Sequence, residues 1–174
     1  MAESVHSGHI SGDGLFTKKC CKFFSHFYSF HHALLTTSCT HALEMASILL
    51  DIAPGDEVII PSFTFVSTAN AFALRGATIV FADSSSVNPN IDAERLEELI
   101  TPKTKAIVPV HYAGVSCDMG KIFSLANAYN LKIVEDAAQA IDSFYLDKPL
   151  GGLGCMSAFS FHETKNIICG EGGM

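Results

Sequence analysis

The sequence has few charged residues and no apolar run long enough to cross a membrane. Only 17% of its 174 residues are charged, whereas globular domains usually have about 25%. No apolar stretch approaches the roughly 20 residues that a membrane span needs. The first 14 residues (MAESVHSGHISGDG) also lack the apolar region of a signal peptide. These absences predict a soluble cytoplasmic protein without a membrane span.

An excess of basic residues and a pattern of paired cysteines are missing as well. The formal net charge is −7, and no basic stripe with interleaved aromatic residues occurs, which argues against a nucleic-acid partner. The six cysteines form no CxxC pair and no metal-ligand spacing, as in reduced intracellular proteins. Residues 162–166 (HETKN) lack the second histidine of a zinc-protease HExxH motif, and residues 8–14 lack the GK[ST] of a P-loop.

Short apolar runs rich in valine and isoleucine alternate with helical patterns along the chain. Such near-continuous apolar runs are typical of parallel strands covered on both faces. The predicted strands are 57–60, 77–81, 106–110, 131–134 and 156–161, and the predicted helices are 40–50, 67–74, 93–100 (N-capped by Asp92) and 119–128. Residues 20–35 predict a further helix followed by an approach strand. This order predicts an α/β fold with a mostly parallel, doubly wound sheet.

Two candidate catalytic side chains follow predicted strands. Lys165 is either a solvated charge or, in an apolar pocket formed by Phe159 and Phe161, an amine able to form a Schiff base. Asp136 lies at the carboxyl end of a strand, where doubly wound sheets bind their ligands. It is either a helix N-cap or a carboxylate that keeps a pyridine ring protonated.

Two further positions fit a phosphate and a flat ring. Ser38 or Thr40 is expected to cap the helix that follows, and the amides exposed at such a helix start also form an anion site. Phe65 follows a strand at the same edge of the sheet. It is either a core residue or an aromatic side chain that stacks on a bound ring.

Four stretches carry the most specific signal: residues 61–68 (PSFTFVST), 108–114 (VPVHYAG), 135–139 (EDAAQ) and 159–166 (FSFHETKN). In this order and spacing they resemble the DegT/DnrJ/StrS family of nucleotide-sugar aminotransferases, which are pyridoxal phosphate (PLP) enzymes of fold type I. The resemblance extends over nearly the whole chain, from residues 11–14 to residues 170–173. It implies that the chain is part of a PLP-binding large domain.

The resemblance implies the roles of the residues that face the cofactor. Lys165 would form the Schiff base with PLP and shuttle the proton during catalysis. Asp136 would pair with the pyridine nitrogen, Gln139 would lie near the ring hydroxyl, and Phe65 would stack on the ring. Family members that dehydrate sugars carry histidine at the lysine position, so Lys165 places this chain with the transaminases.

The resemblance also implies a phosphate site. The amides around Thr40 and His41, together with the Ser160 hydroxyl, would hold the phosphate. Cys39 and His41 depart from the small residues common at these positions, so the imidazole of His41 is expected to crowd the phosphate.

The implied reaction is transfer of an amino group, typically from glutamate, to a 4-keto-6-deoxy sugar nucleotide, with dTDP as the expected nucleotide. Such enzymes act in surface-polysaccharide and lipopolysaccharide synthesis as homodimers about twice as long as this chain. Residues 1–174 are therefore expected to form a partial large domain, cut before the C-terminal small domain. The alternative is a catalytically inactive fragment that at most binds PLP or a full-length relative.

Overall fold

A five-stranded parallel sheet forms the centre of the molecule, and the computed structural model describes residues 2–174. Its strands are β1 (Glu57–Pro61), β2 (Thr78–Ala82), β3 (Thr104–Ile107), β4 (Lys132–Asp136) and β7 (Met156–Ala158). They lie in the order β2-β1-β3-β4-β7, and every neighbouring pair is parallel. A separate antiparallel pair consists of β5 (Phe144–Tyr145) and β6 (Lys148–Pro149). The predicted α/β class with a mostly parallel sheet is confirmed.

The described residues contain five α-helices and two short 3-10 helices, and the first three α-helices precede β1. The α-helices are α1 (Ala2–His6), α2 (Leu15–Phe27), α3 (Cys39–Leu49), α4 (Val66–Ala73) and α5 (Met119–Tyr129). The 3-10 helices are Leu96–Leu99 and Tyr112–Gly114. The Asp118 side chain caps α5 by accepting from the Lys121 amide, and Asn130 ends it in the left-handed conformation.

Alternate residues of the strands supply two separate cores. Val58 and Ile60 of β1 pack with α3 and α4 on one face of the sheet. Ile59, between them, packs with α5 on the other face. This alternation follows from the two-residue period of a strand. A third cluster joins α2 to the segments that follow β4 and β7, and the Phe24 ring stacks on Phe161.

The helix predicted at 93–100 is wrong. Asp92 accepts a hydrogen bond from the Glu94 amide (3.1 Å), which closes a local turn. Only the 3-10 helix Leu96–Leu99 follows, because burial of Leu96 anchors this segment before the chain turns into β3.

Two other predictions need correction. No strand follows α2: Ser29 adopts a positive φ of 56°, and Thr36 forms only an isolated bridge with Gly173. Strand β2 is not covered on both faces, because it lies at the edge of the sheet and Phe81 is 56% exposed.

Within residues 2–174, no helix has both the length and the apolar character needed to cross a bilayer.

Candidate active site

The segments that leave the carboxyl ends of β1, β4 and β7 meet at one edge of the sheet. The strand order reverses around β1 and β3, which is where open parallel sheets form their ligand crevice. Thr68, shortly after β1, is hydrogen-bonded to Asp136 at the end of β4. Lys165, after β7, lines a cavity with Gln139, after β4. Three of the predicted site residues are therefore assembled by the parallel topology.

Asp136 is a buried carboxylate with two protein donors. Its side chain, on a residue only 4% exposed, accepts from the Thr68 hydroxyl (2.7 Å) and from the Ala138 amide (3.1 Å). Burial raises the pKa of Asp136 above its usual range, although both hydrogen bonds and the charge of Lys165 oppose the rise. The alternative role as a helix N-cap is wrong, because only turns follow β4.

The start of α3 provides unpaired backbone donors. The Ser38 side chain caps the helix by accepting from the His41 amide (3.2 Å), which confirms one of the two predicted caps. The amides of Cys39 and Thr40 precede the first intrahelical bond and have no acceptor among the described residues. They remain available to an anion at the positive end of the helix.

The side chain of His41 is bound by a neighbouring hydroxyl. Its Nδ1 is hydrogen-bonded to the Thr37 hydroxyl, and the residue is exposed. The Thr40 hydroxyl instead donates to Ser67 at the start of α4 (2.9 Å), so the N-termini of α3 and α4 are joined. Ser67 was not singled out from the sequence, although it lies in the recognisable stretch 61–68.

Gly173 links Ser160 to the start of α3. It forms backbone bridges with both Thr36 and Ser160, and a Cβ atom at this position would lie 2.5 Å from the Cys39 nitrogen. Ser160 itself is buried, and its hydroxyl accepts weakly from the His162 amide (3.4 Å). The predicted phosphate-binding residues thus lie on adjoining segments.

Lys165 lines a cavity of about 440 Å³ together with Ala113, Gly114, Gln139, Ser143, Thr164 and Asn166. The side-chain oxygen of Gln139 accepts from the Ala113 backbone amide (2.9 Å). The side-chain NH₂ group of Gln139 is therefore left to bind a ligand. The Ala113 backbone has a positive φ of 52° and is followed by Gly114 at 78°. Two left-handed residues in succession turn the chain sharply at the rim of the cavity.

The apolar pocket predicted around Lys165 is not formed by the two phenylalanines. Phe159 and Phe161 are buried in the cluster with α2, and the cavity beside the lysine has a largely polar lining. Successive side chains of an extended segment point to opposite faces, so Phe159 and Phe161 lie on the face opposite Ser160. Phe65 is 73% exposed and precedes α4, so it is a free aromatic face rather than a core residue.

A second buried carboxylate, Glu135, was not assigned a role from the sequence. It accepts from the amides of Gly151 (2.8 Å), Leu153 (2.7 Å) and Gly154 (2.5 Å). It also faces Nε2 of the buried His111 at 3.0 Å. Because Nδ1 of His111 accepts from the Cys117 amide, the imidazole carries its proton on Nε2 and donates to Glu135. This network fixes the loop before β7.

The described residues contain no cluster of three or more metal-binding side chains. The site is therefore defined by one cationic amine, one buried carboxylate, and a set of hydroxyls and free amides. The hydroxyls and free amides suit an anionic group, and the buried carboxylate suits a ring nitrogen that can accept a proton.

The family model for the DegT/DnrJ/EryC1/StrS aminotransferases matches residues 1–174. The chain belongs to this family. It is 45% identical over its full length to the spore coat polysaccharide biosynthesis protein SpsC of Bacillus subtilis and 43% identical to the GDP-perosamine synthase of Caulobacter vibrioides. It spans 44% and 47% of these two relatives, respectively.

Solved structures of aminotransferases share the fold described above. The aminotransferase from Psychrobacter cryohalolentis superposes with a TM-score of 0.95 at 35% identity, over 99% of this chain and 44% of that one. The PLP form of the putative sugar aminotransferase Spr1654 from Streptococcus pneumoniae gives 0.89 at 33% identity, over 99% and 48%. The chain therefore spans about half the length of the relatives that it matches.

Proposed function

We propose that this chain binds PLP and provides the cofactor-facing half of a sugar-nucleotide aminotransferase. The observation that supports this proposal most strongly is that Gln139 and Lys165 line one cavity, and that burial raises the pKa of Asp136 while the charge of Lys165 lowers it, in a member of an aminotransferase family. When bound, PLP supplies an electron sink that allows an amino group to pass from an amino acid to a keto sugar.

The donor set fits this cofactor. A carboxylate has about four acceptor sites, and the described protein groups use only two of those on Asp136. The remaining sites would receive a protonated pyridine nitrogen, whose charge would offset the cost of burying the carboxylate. The free amides of Cys39 and Thr40 would hold the phosphate, with the Ser160 hydroxyl as a further donor.

Each remaining side chain has one task in the proposal. Lys165 Nζ would attach the cofactor covalently and carry a proton to and from the substrate carbon. The free NH₂ group of Gln139 would orient the ring, and Phe65 would cover one ring face. His41 would only help to shape the phosphate site, because its amide is bonded to Ser38 and its imidazole to Thr37.

The proposal also includes a specific substrate and amino donor. We infer a 4-keto-6-deoxy sugar linked to dTDP, with glutamate as amino donor, as in dTDP-4-amino-4,6-dideoxygalactose transaminases of surface-polysaccharide synthesis. The Caulobacter relative is named for a GDP-sugar product, so the nucleotide must be tested directly. We also propose that the full-length protein is a homodimer with a C-terminal small domain and is located in the cytoplasm.

Covalent labelling tests the cofactor assignment. The purified protein is mixed with PLP and reduced with borohydride, and the modified lysine is mapped by mass spectrometry. We expect label on Lys165 alone and none in Lys165→Ala. The matched control Lys148→Ala, at an exposed lysine, should retain the label. Label scattered over surface lysines, or no label, would refute PLP binding.

Activity separates the enzyme from the inactive alternative. Glutamate-dependent amination of a dTDP-linked 4-keto-6-deoxy sugar, absent in Lys165→Ala, would support the full proposal. Label on Lys165 without amination would favour a chain that binds PLP but lacks residues needed for turnover.

A further inference from the structure

A line of two hydroxyls leads to the buried carboxylate of the site. Thr68 Oγ1 lies 2.7 Å from Asp136 Oδ2, and Thr64 Oγ1 lies 2.8 Å from Thr68 Oγ1. The Thr68 hydroxyl donates this hydrogen bond to Asp136, as a carboxylate requires, because it can only accept. The remaining lone pairs of Thr68 then accept from Thr64. The donor direction is therefore fixed along the whole line.

The placement of Thr68 is unusual for a threonine within a helix. Threonine hydroxyls in helices commonly bond the carbonyl three or four residues earlier. Thr68 lies in the first turn of α4 with no exposed surface, and its hydroxyl instead reaches β4, 68 residues away in the sequence. Thr64 lies two residues before α4, so the segment that enters the helix and its first turn together position both hydroxyls.

The Thr68 hydroxyl also occupies one acceptor site of the Asp136 carboxylate, and this determines which sites stay open. Oδ1 accepts from the Ala138 amide and Oδ2 accepts from Thr68. These two donors, one on each oxygen, restrain rotation of the carboxylate plane. The other lone pair of each oxygen has no donor among the described residues and stays open to a ligand.

We propose that Thr68, supported by Thr64, is a positioning residue that holds Asp136 ionised and oriented toward the ring nitrogen of the cofactor. This inference rests on the proposed function, because it needs PLP at Asp136. A charge-assisted hydrogen bond to a buried carboxylate is stronger than a neutral one. Its loss leaves the carboxylate less able to keep its charge and to hold the ring nitrogen protonated.

The test compares variants in cofactor binding and in the pH dependence of the absorption band of bound PLP. Thr68→Val keeps the shape but removes the hydroxyl, and we expect the Kd for PLP to rise about tenfold. The pH midpoint of the band should shift as well. Thr68→Ser keeps the donor and should restore both values to within about twofold.

Two further variants separate positioning from packing. Thr104, at the start of β3, has another buried hydroxyl, which accepts from the Thr101 amide. Thr104→Val should leave the Kd and the pH midpoint unchanged. Thr64→Val alters a half-buried residue, so it tests the line even if Thr68→Val folds poorly. It should weaken binding about twofold through loss of the cooperative donor.

Two outcomes would overturn the inference in distinguishable ways. If the unmodified protein binds PLP on Lys165 and both valine variants at 64 and 68 match it in Kd and pH midpoint, the positioning role is wrong while the proposed function stands. If the unmodified protein shows no saturable PLP binding, the proposed function and this inference both fail.

Discussion

Asp136 and Glu135 are neighbours in β4, yet their side chains serve opposite faces of the sheet. Glu135 is saturated by three amides and an imidazole. Asp136 has one hydroxyl and one amide, which leaves acceptor capacity unused in a buried position. An under-satisfied buried carboxylate is unfavourable for folding alone. We infer from this difference that Asp136 is the ligand-binding carboxylate and Glu135 the structural one.

This difference makes stability depend on pH through Asp136. Burial raises its pKa in the folded state, so between the ordinary and the raised pKa the folded chain binds more protons than the unfolded chain. Stability therefore falls as pH rises through that window. Asp136→Asn is neutral throughout. We expect the cofactor-free variant to resist urea better than the native protein at neutral pH, with the advantage vanishing in acid, where both are neutral.

The same variant should bind PLP less tightly, by at least about tenfold, because an amide cannot neutralise the pyridinium. Urea midpoints across the pH range and PLP titrations measure the two effects together. A variant that is destabilised equally at acid and neutral pH would show that burial of the charge does not govern Asp136. A gain in stability with loss of binding is the pattern expected of a functional residue.

At the scale of elements, the helices predicted from sequence formed where their apolar face is buried against the sheet. Helix α5, predicted at 119–128, buries Met119, Ile122 and Leu125, and Asp118 and Asn130 define its ends. The segment 93–100 also follows an aspartate, but Asp92 closes a turn and only Leu96 is fully buried. A candidate N-cap alone cannot separate these cases, because tertiary burial decides whether one turn or three are formed.

The loop before β7 shows a second kind of limit. Residues 151–154 have no periodic pattern, and their conformation depends on Glu135 and His111, which lie far away in the sequence. The stretch 135–139 was recognised as a motif, but its first residue had no assigned task. A glutamate inside an otherwise apolar strand was the available signal, since such a carboxylate is buried only with partners.

Glu135→Gln tests this anchoring role. The substitution removes the charge and one acceptor, leaving backbone amides of residues 151–154 unpaired in the interior. We expect a loss of about 3 kcal/mol in the free energy of unfolding, measured with urea. The matched control is Glu98→Gln, which breaks an exposed pair with Arg95 (3.8 Å) and should cost less than about 1 kcal/mol. Equal losses in the two variants would contradict the anchoring role.

At the scale of the whole molecule, the candidate site is assembled from contacts between distant parts of the sequence. Thr40 meets Ser67, Thr68 meets Asp136, and Gly173 lies between Ser160 and the start of α3. The parallel sheet could be predicted from local patterns, and it indicates which edge binds the ligand. The individual partners could not be predicted, because side-chain registers across α3, α4 and the last residues have no local signature.

Gly173 is the most sensitive point of this assembly. A Cβ atom at residue 173 would overlap the Ser38 carbonyl carbon and lie 2.5 Å from the Cys39 nitrogen, which is backbone that cannot rotate away. Gly173→Ala must therefore push the last residues away from the start of α3. We expect a loss of about 1–3 kcal/mol in unfolding free energy. Because the last residues contact both Ser160 and the start of α3, which carry the proposed phosphate donors, PLP binding should weaken as well.

The control for this prediction is Gly12→Ala, where a Cβ atom would meet nothing within 4 Å. It should change stability by less than about 0.5 kcal/mol and leave PLP binding unchanged. Urea unfolding and PLP titration of both variants give the comparison. If Gly173→Ala lost stability but kept native PLP affinity, the start of α3 would not be the phosphate site. In that case the unpaired amides of Cys39 and Thr40 would have to face water or another ligand.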